Sequence, residues 1–185
     1  MGKLRVYIDS DGVNFDTIDK GKALARELGY NPEDFWELHE FFVQVNWYIL
    51  LHESGILNNA IRKIKAIQED EDVEEVTILT KLCGADTEEH AKRLNYNKLL
   101  YGVEVITLDL DENKDEVVDP SDCILIDDSM SNIIRWRNAG GVGILFSKTE
   151  CDLENDVIDD LMKFKDTKGV QRLLSKENCK KLVRD

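Results

Sequence analysis

Proline is nearly missing from this sequence, at two residues in 185. Collagen-like and proline-rich low-complexity architectures are thereby excluded, and eleven glycines are too few for either. Histidine is scarce too, and His39, His52 and His90 show no metal-ligand spacing. The four cysteines, Cys83, Cys123, Cys151 and Cys179, contain no C-x-x-C pair. In a chain of this length they do not make a disulfide framework, so free thiols in a reducing compartment are expected. No apolar run approaches the roughly 20 residues that a bilayer span requires; the longest, around Val45 to Leu51, falls far short. The opening Met-Gly-Lys-Leu-Arg-Val-Tyr-Ile-Asp meets acid too soon for the apolar centre of a signal peptide. A cytoplasmic protein with no membrane partner is expected.

Positive charge is in deficit as well: 24 Lys and Arg against 38 Asp and Glu give a formal net charge of −14. Phosphate backbones are held by clustered cations, so duplex nucleic acid is a poor partner. A small anionic ligand would need a metal or a local cation to hold it, because the overall field repels it.

Hydrophobic residues, at 42%, suffice for a packed core. They fall into short β-rich runs at Leu4–Ile8, 76–79, 103–108, 123–126 and 142–146. Helical periodicity or propensity lies between them, at 18–29, 58–69, 86–101 and 130–138. Asn31-Pro32-Glu33-Asp34 reads as a helix start, with Asn31 as cap and Pro32 in the first turn, opening a helix towards Gly55. The segment from Asp109 to Asp119 reads as an acidic loop, and the last forty or so residues as mostly helical. Such alternation predicts an α/β fold with a mainly parallel sheet, whose ligands bind beyond the carboxyl ends of the strands. Some sixty residues separate the first two strands, too many for one crossover. The expected division is a catalytic core of residues 1–13 and 73–185 with a small helical cap, 14–72, inserted after the first strand.

Reactive groups stand at those strand ends: Asp9 and Asp11 after the first, Thr80 on the second, Asp127 and Asp128 on a later one. Lys92 follows Thr80 on the next helix. Like charges about 4 Å apart cost several kcal/mol at a protein-surface dielectric. A hard divalent cation would offset the repulsion, and an all-oxygen donor set suits Mg²⁺. A carboxylate can attack phosphorus while a second protonates the leaving oxygen and later activates water.

The set Ile8-Asp9-Ser10-Asp11-Gly12-Val13, Ile78-Leu79-Thr80, Lys92 and Ile124-Leu125-Ile126-Asp127-Asp128 resembles the four ordered motifs of the haloacid dehalogenase (HAD) superfamily of phosphatases. Asp127-Asp128-Ser129-Met130-Ser131-Asn132-Ile133, with Trp136, Ala139-Gly140-Gly141 and Ile144-Leu145-Phe146, is similar to the 5′(3′)-deoxyribonucleotidases of that superfamily. Those enzymes usually carry Ser and Pro after the Thr, where this chain has Lys81 and Leu82.

The resemblance implies a HAD-like Rossmannoid core and an Mg²⁺-dependent phosphomonoesterase. Asp9 would be nucleophile and metal ligand. Asp11 would be general acid/base, with its backbone carbonyl on the metal. Thr80 and Lys92 would bind the phosphoryl group, Asp128 would be the third metal ligand, and Asp127 would support it from behind. A nucleoside monophosphate is the implied substrate, with a sugar phosphate, a polynucleotide 3′-phosphate and a non-catalytic binding module as alternatives. Oligomeric state, a homodimer included, stays open. The cap aromatics are expected mostly in its core, with Phe15 and then Trp47 as candidates to stack on a base. Asn132 and Arg135 are placed either beside the site or on a helix surface.

Overall fold

The computed structural model describes residues 3–147 and 156–182, with side chains to residue 175; Cys151 and the Cys179 thiol lie outside that description. Cys83 and Cys123 are free thiols. Among the described residues six parallel strands form one sheet: β1 (Leu4–Ile8), β2 (Val73–Lys81), β3 (Glu104–Leu108), β4 (Cys123–Asp127), β5 (Val142–Phe146) and β6 (Val157–Ile158). Their spatial order is β3-β2-β1-β4-β5-β6. The chain builds outward from β1 through β2 to β3, then returns to build β4, β5 and β6 on the other side. The switch point therefore lies between β1 and β4, where open α/β sheets form a crevice at the carboxyl ends of their strands.

Alternation along the strands sorts the core onto two faces. Val6, Ile8, Val76, Ile78, Ile124 and Ile126 face one side, while Tyr7, Leu79, Leu125 and Leu145 face the other. Ile133 and Trp136 of helix α7 (Met130–Asn138) cover the second face. The first is covered by Ile61, Ile64 and Ile67 of α4 (Ala60–Gln68), by Tyr96 of α5 (Glu88–Leu99), and by the segment from Leu161 through α8 (Lys168–Leu182).

Between β1 and α4 lie α1 (Thr17–Glu27), α2 (Phe35–Gln44) and α3 (Trp47–Ser54). The single helix expected from Asn31 to Gly55 is thus two helices. Asp34 caps α2 by accepting from the Trp36 and Glu37 amides at 2.9 and 3.0 Å, while Asn31 turns back onto the Glu33 amide instead. Asn46 caps α3, and Val45 and Asn46 are extended there. α4 starts at Ala60 because Asn58 and Asn59 occupy the left-handed region, which asparagine tolerates better than most residues. The acidic loop holds one short helix, α6 (Lys114–Val117), anchored by Arg135 of α7 to Asp115 and Glu116 at 2.9 and 2.8 Å. β6 was absent from the sequence reading, since two residues carry no periodicity. At the sheet's edge, Arg93 of α5 donates to the Val105 carbonyl at 2.6 Å and to Thr107 Oγ1 at 2.9 Å.

Trp136 is fully buried, and Gly141 packs directly against its indole. A Cβ at position 141 would collide with Trp136 and stand 2.8 Å from the Pro120 carbonyl. Gly141→Ala is expected to destabilise the fold by about 1–3 kcal/mol, the usual cost of overpacking. A urea denaturation midpoint below that of the wild type, at unchanged slope, would show it.

Candidate active site

Ile8 is paired with Ile126, and the Asp9 amide donates to the Ile126 carbonyl at 2.9 Å. Asp9 therefore emerges beside Asp127, the last residue of β4, at the switch point. The chain then turns tightly. The Asn14 and Phe15 amides both return to the Ser10 carbonyl, and Asn14 Nδ2 donates to the Asp9 carbonyl at 2.7 Å. Tyr96 closes the turn from below, with its hydroxyl 3.0 Å from both Ser10 Oγ and Asn14 Nδ2. Gly12 has φ +76, and the Asp128 carboxylate rests against its Cα, so any side chain there meets both strain and a collision.

Ligand oxygens of Asp9, Asp127 and Asp128 all lie within 4.8 Å of one another. Burial, then the Asp127 and Asp11 charges, raise the Asp9 carboxyl to about 7, although Lys114 pulls it down. Burial, followed by the Asp9, Asp127 and Asp11 charges, raises Asp128 to about 8, even though its edge opens onto solvent. Such a set of hard oxygens, with two members reluctant to ionise alone, fits a divalent cation. Asp127, expected to support the metal ligands from behind, places an oxygen within this group. Its oxygens are nonetheless well occupied, accepting from Lys114 at 2.6 Å, Asn132 Nδ2 at 3.0 Å and the Ser129 amide at 2.8 Å. Asn132 thus borders the site, whereas Arg135 serves it only by holding α6.

Lys114 is the residue that sequence reasoning missed. Its ammonium is buried and lies 2.6 Å from both Asp9 Oδ1 and Asp127 Oδ2. Burial works against its charge, but Asp9 and Asp127 outweigh that and raise its pKa. A signal was available: Lys114 is the sole basic residue in the acidic stretch 109–119.

Lys92, expected to bind the phosphoryl group, lies against Asp11 in a second cluster. It is fully buried, with Nζ 2.6 Å from Asp11 Oδ2, 2.8 Å from Glu88 Oε1, 3.0 Å from the Lys81 carbonyl and 3.1 Å from Thr80 Oγ1. Burial opposes its charge, yet Asp11 and Glu88 prevail and raise its pKa. Asp11 accepts from Thr17 Oγ1 at 2.6 Å on its other oxygen. The structure therefore assembles two clusters, Asp9–Lys114–Asp127–Asp128 and Asp11–Lys92–Thr80–Thr17. The Lys81 ammonium points elsewhere, to the Leu110 carbonyl at 3.3 Å. Phe15 and Trp47 are 2% and 3% exposed, so neither offers a free face to a base. Phe15 packs edge-on against Tyr96, and the Trp47 ring lies 4.8 Å from the Lys92 ammonium.

No protein-family model and no curated protein matches this sequence. Solved structures do match the fold. A HAD-superfamily hydrolase of subfamily IA from Geobacter sulfurreducens superposes with a TM-score of 0.58 at 13% identity, covering 89% of this chain and 98% of that one. A haloacid dehalogenase-like hydrolase from Xanthomonas campestris gives 0.57 at 14% identity, covering 97% and 95%. A HAD-type hydrolase from Bacillus subtilis, solved with magnesium bound, gives 0.55 at 13% identity, covering 90% and 98%. The chain thus has the HAD-like α/β Rossmannoid fold. Among the described residues no helix is long and apolar enough to cross a membrane.

The raised Asp9 and Asp128 values carry a linkage. A carboxyl raised on folding stabilises most below its unfolded pKa near 4 and loses that contribution as pH rises through the folded value. Without a divalent cation, the fold is expected to weaken between about pH 4 and the values near 7 and 8. Mg²⁺ should therefore raise the melting temperature more at pH 8 than at pH 5.5, and Asp128→Asn should shrink that difference. Equal Mg²⁺ shifts at both pH values would contradict the reading.

Proposed function

We propose that this protein is an Mg²⁺-dependent phosphomonoesterase that works through an aspartyl-phosphate on Asp9. The observation that supports it most is the two-cluster geometry: a carboxylate beside a buried cation and a candidate metal group, with a second carboxylate held two residues away. Asp9, Asp128 and either Asp127 or the Asp11 backbone carbonyl would hold the metal. When bound, the ion would offset the carboxylate repulsion and draw charge from the phosphoryl oxygens.

An Asp9 oxygen attacks phosphorus, the bond to the leaving oxygen breaks, and Asp11 gives that oxygen a proton. Water then attacks the phospho-aspartate, Asp11 takes its proton, and Asp9 is released with inorganic phosphate. Lys114, held at Asp9, compensates the negative charge that builds on the phosphoryl group. Thr80, next to Asp11 at 3.3 Å, supplies a hydroxyl on the same rim.

For the substrate we propose a small phosphomonoester, with nucleoside monophosphates first among the candidates. That preference rests on the resemblance carried by the stretch from Asp127 to Phe146, together with the first motif ending in Val13 and the short helical segment after it. Within residues 127–146, Asn132 touches the site, while Trp136 and Gly141 pack against each other in the interior.

The deciding assay is phosphate release with Mg²⁺ from nucleoside 5′- and 3′-monophosphates, sugar phosphates and p-nitrophenyl phosphate. Activity lost in Asp9→Asn is the expected result; no release from any of them would end the enzyme reading. Lys114→Met is expected to slow turnover by roughly 10²–10³-fold, the usual cost of removing a charge-stabilising donor. The same change should not weaken Mg²⁺ binding, because it removes a cation from beside the metal group. Calorimetric titration of Mg²⁺ beside the rate measurement separates the two effects.

A further inference from the structure

Glu88 is a carboxylate buried to 1% exposure, and the catalytic scheme has no use for it. It lies one helical turn before Lys92 on α5, and its Oε1 is 2.8 Å from the Lys92 ammonium. Its other oxygen accepts from the Cys83 amide at 2.6 Å and from Cys83 Sγ at 2.9 Å. Both oxygens are therefore engaged, and the side chain has one setting. An ionised carboxylate in such a place is costly unless a cation and hydrogen bonds hold it. Lys92 is the cation, and Lys92 ends on Asp11.

The geometry around Lys92 defines what Glu88 does. The ammonium has three N–H groups and four oxygen neighbours: Asp11, Glu88, Thr80 and the Lys81 carbonyl. Trp47 lies over the same ammonium, and the Trp47 amide donates to Thr87 at the start of α5. Cys83 Sγ also reaches the Phe42 carbonyl of α2 at 3.3 Å. With every direction filled, Lys92 has no N–H left for a substrate phosphate. Its remaining effect is on the orientation of Asp11.

We infer that Glu88 is a positioning residue: it fixes Lys92, and Lys92 fixes the Asp11 carboxylate at the angle from which it serves the leaving oxygen. The inference rests on the phosphatase reading above and extends it to a residue outside the reacting groups. Lys92 then belongs to the acid/base apparatus, and the phosphoryl charge is left to Lys114 and Thr80.

The leaving group supplies the test. A p-nitrophenolate departs with little help, whereas an alkoxide needs the proton from Asp11. General acid catalysis contributes typically 10²–10⁴-fold, so partial misalignment should cost an alkyl phosphate roughly tenfold or more. In Glu88→Gln, kcat/KM for glycerol phosphate or for a nucleoside monophosphate that the wild type hydrolyses is expected to fall about tenfold further than kcat/KM for p-nitrophenyl phosphate. The loss should lie in kcat, with KM changed less than about twofold, because uniform binding is untouched. A purely structural role would lower both substrates together, and an unchanged ratio between them overturns the inference. Should Glu88→Gln fail to fold, the charge-balanced pair Glu88→Gln with Lys92→Met removes both buried charges. It must show the same selective loss, and an unchanged ratio in that pair is equally fatal. Wild-type protein that releases no phosphate from any substrate sinks the phosphatase reading itself, a distinguishable result.

Discussion

Mutual repulsion of carboxylates at one rim of the sheet is the constraint that the rest of the site answers. Asp9, Asp11, Asp127 and Asp128 converge where β1 and β4 end, and water cannot screen them well there. Two buried lysines supply the internal counter-charge. Lys114 bridges Asp9 and Asp127, and Lys92 bridges Asp11 and Glu88. Each lysine joins one carboxylate of the Asp9–Asp11 pair to a carboxylate from elsewhere in the fold. The two aspartates, separated in the chain by Ser10 alone, are thereby given different electrostatic neighbours, as the two duties proposed for them require.

The backbone makes this arrangement possible. β1 is flanked by β2 and β4, so the turn after it emerges between the two halves of the sheet. Gly12 lets the chain turn away at once and lets Asp128 approach closely. Tyr96 and Asn14 stiffen the same turn from the core side. Helices α1 and α3 touch the site through Thr17, which donates to Asp11, and Trp47, which lies against Lys92.

Much of this was legible in the sequence. Short apolar runs gave the five longer strands, and the acids at their ends marked the rim. What escaped depended on tertiary context. Lys114 sits on a four-residue helix, too short to form without packing, so its segment carried no periodic signal. Its position depends on the Arg135 pairs and on burial between two carboxylates. Lys92 was found by its distance from Thr80, but spacing cannot say which acid a lysine meets, and a second carboxylate at Glu88 decides it. Phe15 is a candidate cleft residue in the sequence because it lies just past the Asp9–Gly12 turn, with Trp47 second; proximity in sequence does not determine which way a ring turns, and both rings are buried. The break between α2 and α3 was hidden because the apolar pattern runs through it, and only the capping of Asn46 marks it.

The outer side of β3 has a further consequence. An edge strand with free main-chain groups is a template for another strand, in a neighbouring molecule or an unfolded one. Arg93 reaches across that edge and occupies the Val105 carbonyl and the Thr107 hydroxyl, laying a guanidinium where an intruding backbone would dock. At the opposite edge, β6 is only two residues long and offers little length to extend. The sheet is in this way guarded against open-ended growth at both margins, which lets a strongly apolar set of strands stay a finite object.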